Sequence, residues 1–111
     1  EVAQWYLAQF QNDLKLARAM HKAGVQMLAG SDSLDPFNFP GSSLHKELQL
    51  LVEVGFTPMQ SLQAATSRPA EFLHATGEGG WGTIQPGKIA DLVLLDAASI
   101  SPTPGRSRPL F

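Results

Sequence analysis

Asp32 is the side chain in this sequence best placed to do chemistry. It stands where a short apolar run, Val25 to Ala29, gives way to Gly30 and Ser31. Such a run between a helix and a Gly-containing turn reads as a buried parallel strand. Parallel α/β folds gather their sites at the carboxyl ends of strands, where loops and helix N-termini converge. A carboxylate at that point can ligate a hard or borderline metal, or serve as a general base. There is also a plainer reading: Asp after Gly-Ser commonly closes a turn or caps the next helix. Residue types alone leave both open.

The histidines His21, His45 and His74 fall near helix ends or in a first turn, and no pair has the H-x-H or H-E-x-x-H spacing of a metal site. His21 suits a helix C-terminus as a cation. All three read as structural or solvent-facing. Neither G-x-S-x-G nor G-x-x-x-x-G-K occurs, which sets aside serine-hydrolase and P-loop chemistry. The glycines from Gly77 to Gly82 have no following helix to receive a phosphate and read as a flexible connector.

The elements that must position Asp32 follow from the apolar spacing. Residues 1–23 predict a helix with Ala3, Leu7, Phe10, Leu14 and Ala17 on its buried face and Gly24 as its stop. With no capping residue ahead of Glu1, that helix reads as entered mid-course. After Asp32, the loop Leu34 to Gly41 holds Phe37 and Phe39, which are expensive to leave in water and should cover something. A second helix starts near Ser42 or Ser43, either able to cap it. Its buried stripe is Leu44, Leu48, Leu51 and Val52, and Gly55 stops it. Thr57-Pro58-Met59-Gln60 is the start signal of a third, with a capping residue, a first-turn Pro and a Gln to return the bond. Ser67-Arg68-Pro69 opens a short fourth, carrying Phe72 and Leu73. Beyond Gly77, Thr83-Ile84 and Ala90 to Leu95 read as strands on either side of a Gln85-Pro86-Gly87-Lys88 turn. Residues 99–111 read as an irregular Pro-rich tail.

The 111 residues suffice for one small domain, and 43% hydrophobic with 16% charged residues is ordinary globular usage. A net charge of -2 argues against a nucleic-acid surface. No apolar run approaches the roughly 20 residues of a membrane span. The first residues carry neither a signal-peptide pattern nor an initiator Met. The lack of cysteine excludes a disulfide frame and a thiolate zinc site, and fits a reducing, cytoplasmic compartment.

Several stretches, in this order and spacing over residues 23–96, resemble an amidohydrolase. They are Ala23-Gly24-Val25 through Ala29-Gly30-Ser31-Asp32, then Leu44-His45-Lys46-Glu47-Leu48, Val54-Gly55-Phe56-Thr57-Pro58, Ala64-Ala65-Thr66 and Arg68-Pro69-Ala70. Gly82-Thr83-Ile84-Gln85-Pro86-Gly87-Lys88-Ile89-Ala90-Asp91-Leu92-Val93 completes the set. The nearest resemblance is to imidazolonepropionase-like and Xaa-Pro-dipeptidase-like members of that superfamily. It implies an α/β fold: the final strand and helices of a TIM-type (β/α)8 barrel, followed by C-terminal strands of a small β-sandwich. On this mapping residues 1–76 are the C-terminal part of the barrel, 77–98 the sandwich strands and 99–111 the tail. Val25–Ala29 is the last barrel strand and residues 43–73 are the closing helices. Thr83-Ile84 and Ala90–Leu95 belong to the sandwich.

The resemblance also implies a mechanism. Asp32 matches a metal-ligating aspartate that takes a proton from the attacking water and passes it to the leaving amine. A divalent metal, zinc foremost and mono- or binuclear, would lower the pKa of its water from 15.7 to about 7. The family's H-x-H pair, its bridging Lys and two further metal histidines come earlier and have no counterpart here, so this chain alone is expected to be inactive. His45 has no ligand role. A small-molecule substrate would be bordered by Asp35, Phe37 and Asn38. The partners expected are the remainder of the barrel and, with apolar faces exposed, further copies of the chain; neither nucleic acid nor membrane is among them. Two classes therefore stand: the C-terminal portion of a metal-dependent hydrolase of C–N bonds, or a non-catalytic binding or self-association module.

Overall fold

In a computed structural model, residues 2–33 and 38–94 are described, and their order is four helices: α1 (Val2–Lys22), α2 (Ser42–Glu53), α3 (Pro58–Ala65) and α4 (Ser67–Phe72). Each forms close to where the sequence pattern places it. Thr57 caps α3 in both directions: its side chain accepts from the Gln60 amide at 3.2 Å, and its own amide donates to Gln60 Oε1 at 2.8 Å. Pro58 fills the first helical position, where a missing N–H does no harm. The expected caps of α2 fail. Gly41 holds the N-cap position without a side-chain bond, while the Ser42 and Ser43 hydroxyls both donate to the Phe39 carbonyl.

Leu14, Leu48, Leu51, Val54, Phe56 and Ala64 form the core, with Met27, Ala29, Leu50 and Leu62 packed around it. Helices α2 and α3 lie directly against each other, joined by the buried Ser61 hydroxyl, which donates to the Leu48 carbonyl at 2.8 Å. Helix α1 meets this unit through its C-terminal half only. Leu14 enters the core, Arg18 donates to the Glu53 carbonyl at 3.1 Å, and His21 stacks on Phe56 with ring centroids 4.0 Å apart. The apolar stripe expected along α1 is thus buried at one end; Leu7 and Phe10 remain exposed.

The expected strands are absent. Among the described residues there is no strand at Val25–Ala29, at Thr83-Ile84 or at Ala90 to Leu94, and Leu95 lies outside the described residues. The barrel-strand and sandwich-strand expectation is therefore corrected: the described chain is helical with extended connections. The physical reason is the lack of a ladder, because a strand is defined by a neighbour that takes its alternate amides and carbonyls. In Val25–Ala29, Met27 and Ala29 pack against the core while Leu28 is exposed. Its Ala29 amide, however, donates to a helix, at the Ala64 carbonyl, 2.9 Å away. Ile84, Val93 and Leu94 are almost wholly exposed.

The glycine-rich stretch is also tighter than a loose connector. Trp81 donates to the Ala75 carbonyl at 3.0 Å and Ile89 to the Gly80 carbonyl at 2.8 Å, folding this segment back on the end of α4. Gly82, at φ +88, has its backbone against α4: an added Cβ would lie 2.7 Å from the Thr66 carbonyl oxygen and 2.8 Å from Ala70 Cβ. Gly87 has a similar φ of +82 but open space around it. Gly87→Ala therefore meets only the backbone penalty, about 1 kcal/mol, whereas Gly82→Ala adds steric strain on the order of 1–3 kcal/mol. Paired thermal melts check this. Equal losses from the two substitutions would show that Gly82 is not packed as described.

Candidate active site

The chain leaves Ala29 through a turn whose backbone is held from two sides. The Ala29 amide is taken by α3, as described above. Glu47, on α2, is half-buried and borders the same pocket as Gly30. Asn38 Nδ2 donates to both the Ser31 and the Asp32 carbonyls, the latter at 3.1 Å. Within this frame Asp32 has φ 45, the left-handed region that L residues avoid and that Asp tolerates better than most. Its side chain is exposed.

Beside the turn lies an open pocket of about 370 Å³, bordered by Gly30, Ser31, Asn38, Phe39, Lys46 and Glu47 among others. Asp32 follows Ser31 in the chain without being part of that lining. Of the expected substrate-bordering residues, Asn38 is half-buried at the pocket, while Asp35 and Phe37 lie outside the described residues. Phe39 is 67% exposed, so it covers little. The histidines are dispersed: His21 is engaged with Phe56, His45 sits in the first turn of α2, and His74 follows α4 at φ 56.

Glu47 is the residue that reasoning from residue types missed. Burial raises its pKa above the ordinary 4.5, and the Gly30 amide only partly offsets this. The signal was there in the spacing. Leu44, Glu47, Leu48 and Leu51 follow the i, i+3, i+4, i+7 pattern of one helix face, so Glu47 occupies a position that packing alone would give to an apolar residue.

Among the described residues no three His, Cys, Asp or Glu side chains gather closely enough to hold a metal. Zinc sites take about three or more protein ligands, so the described donors do not make a metal shell by themselves. What the turn can do is hold one exposed carboxylate at a defined point beside a pocket.

Residues 10–109 match the family model described as the amidohydrolase family. The chain is 36% identical over 66 residues to an adenine deaminase of Methanosphaera stadtmanae, covering 60% of this chain and 11% of that protein. It is 37% identical over 82 residues to an imidazolonepropionase of Pyrobaculum arsenaticum, covering 69% of this chain and 18% of that protein. The chain thus corresponds to less than a fifth of the length of either relative. No solved structure matches it. Among the described residues no helix is long and apolar enough to cross a membrane.

The raised pKa of Glu47 sets a sign for stability against pH. A carboxyl whose folded pKa exceeds its unfolded value contributes stability below about pH 4.5, and loses that contribution as pH rises through the folded pKa. At neutral pH the ionised Glu47 is a burden on the fold. Glu47→Gln keeps an acceptor oxygen for Gly30 and sheds the buried charge. Its melting temperature is expected to equal or exceed that of the parent chain at pH 7, with the gap closing toward pH 4. A variant less stable at pH 7, with the deficit vanishing in acid, would reverse the assignment.

Proposed function

The chain belongs to the amidohydrolase family, a family of hydrolases whose members generally bind divalent metals, and on that premise we propose that it is the C-terminal portion of a longer hydrolase of C–N bonds in which Asp32 is the catalytic acid/base. The observation that carries this reading is the family match over residues 10–109, which takes in Asp32 and Asn38, whose side chain holds the turn. Asp32 takes a proton from the attacking water and returns it to the departing amine, so the two transfers balance. A divalent metal, zinc in our reading, would use Asp32 as one ligand and draw the others from outside this chain. The substrate class is an amide, a peptide or a cyclic amide. The names of the two relatives, with adenine and imidazolone in them, favour the nitrogen-ring end of that range. Asn38, and with it Asp35 and Phe37 from the same loop, are the candidate substrate contacts.

In the full-length protein, Asp32→Asn is expected to lower kcat by about 10²–10⁴-fold while preserving the melting temperature. Asn keeps the shape and also tolerates a left-handed backbone, so the charge and the proton acceptor are what is lost. Near-normal turnover in that variant would remove Asp32 from the mechanism. The isolated 111-residue chain, supplied with zinc, is expected to show no turnover on dipeptides, N-acyl amino acids or cyclic amides. Turnover that disappears in Asp32→Ala would overturn this.

A second reading, a self-associating module without catalysis, is favoured by one observation. Val2, Trp5, Tyr6, Leu7 and Leu16 of α1 are each more than half exposed, and contiguous exposed apolar surface drives association. Sedimentation of the isolated chain over a range of concentrations separates the outcomes. Association abolished by Leu7→Asp would support it; a monomer at every concentration would sink it.

A further inference from the structure

We propose that Asn38 is the positioning residue of this site: its side-chain nitrogen donates to the carbonyls on both sides of the Asp32 α-carbon and so fixes the left-handed backbone that presents the Asp32 carboxylate. The inference deepens the reading of Asp32 as the acid/base and rests on it. Its own support is geometric. The Ser31 carbonyl belongs to the peptide plane before Asp32 and the Asp32 carbonyl to the plane after it. The φ and ψ of Asp32 are the angles that turn one plane against the other. A primary amide nitrogen carries two hydrogens, one for each carbonyl. A single donor reaches two successive carbonyls only where they point the same way, as in helical or left-handed backbone and not in an extended strand. The two Asn38 bonds therefore exclude an extended Asp32 and hold it at φ 45. A left-handed L residue persists only where its surroundings over-determine it.

Asn38 is itself tied to a firm base. The carbonyl of the next residue, Phe39, accepts from three donors in the first turn of α2: the Ser42 hydroxyl at 3.3 Å, the Ser43 amide at 3.0 Å and the Ser43 hydroxyl. The constraint runs from α2 through Phe39 to Asn38, and from there to the backbone of Asp32. Asn38 and Ser31 are both half-buried, which shelters the bond between them from competing water, whereas the Asp32 side chain stays exposed. Asn38 also borders the pocket, with its nitrogen already engaged by the turn. It acts on the reaction through the main chain of Asp32.

The test uses the full-length protein with Asn38→Ala and Asn38→Asp, read by kcat, KM and the φ of residue 32 in crystal structures of the variants. Asn38→Asp keeps the size and shape of the side chain and, ionised, has no hydrogen to donate. It stands in for Asn38→Ala should that variant fail to fold. Displacing a catalytic group by about an ångström can cost on the order of 10²-fold. Both variants are therefore expected to lower kcat at least about tenfold with KM within about twofold, and to let residue 32 leave the left-handed region. Unchanged kcat in the variants would overturn the proposal. A KM raised about tenfold or more with kcat kept would also overturn it, making Asn38 a substrate contact instead. So would a residue 32 still at positive φ in both variants, which would show that the turn is held by other means. Full activity in Asp32→Asn would fail the acid/base reading and the catalytic part of this proposal with it. The φ of residue 32 in the Asn38 variants would then judge the hold of Asn38 on the turn by itself.

Discussion

The bond from the Ala29 amide to the Ala64 carbonyl is the joint from which the rest of the site hangs. Ala64 lies in the last turn of α3, where carbonyls lack partners within the helix, and its side chain is fully buried. A larger side chain there would hold the extended segment away from α3. A neutral hydrogen bond of this kind contributes only about 1 kcal/mol net, so its importance is geometric. The position of α3 is set in turn by the Thr57 capping box at its start and by Ser61 bonded to Leu48 across to α2. Cap, cross-link and joint thus form one chain of constraint leading to Gly30.

This economy of contacts leaves packing concentrated at the core and sparse elsewhere among the described residues. The core is small and sits where α2, α3 and the C-terminal half of α1 converge. The N-terminal half of α1 carries Trp5 and Tyr6 in edge contact with each other, 5.1 Å between ring centroids, with both rings largely in solvent. Helix formation there follows local periodicity, while burial follows from what lies opposite. The two are separate physical questions.

That separation also divides what the sequence made legible from what it did not. The four helices were readable because caps, stops and 3.6-residue spacing are local: Thr57 to Gln60 announced α3, and Gly24 and Gly55 marked ends. The strands were not, because Val25–Ala29 carries the composition of a strand and a strand exists only with a partner. The Ser42 and Ser43 caps failed because the helix begins at Ser42, which puts Gly41 at the N-cap and both serines inside the first turn. At the site, Asp32 was visible from its place after Gly30 and Ser31. The hold of Asn38 on the turn was not, because it acts through peptide carbonyls and leaves no spacing signature of a ligand set. Glu47 betrayed itself only as a charge on an apolar face.

The left-handed backbone at Asp32 has a consequence for which residues could ever replace it. Glutamate is the usual chemical stand-in for aspartate, with the same carboxylate and nearly the same basicity. At φ 45 the backbone screens candidates before chemistry does. It admits glycine, asparagine and aspartate readily, and charges other L residues roughly 1–2 kcal/mol. Of the residues it admits, aspartate alone carries a proton-accepting carboxylate. If Asp32 is the acid/base proposed above, the shape of the main chain and the demands of the reaction are two separate filters on position 32, and they overlap on a single amino acid.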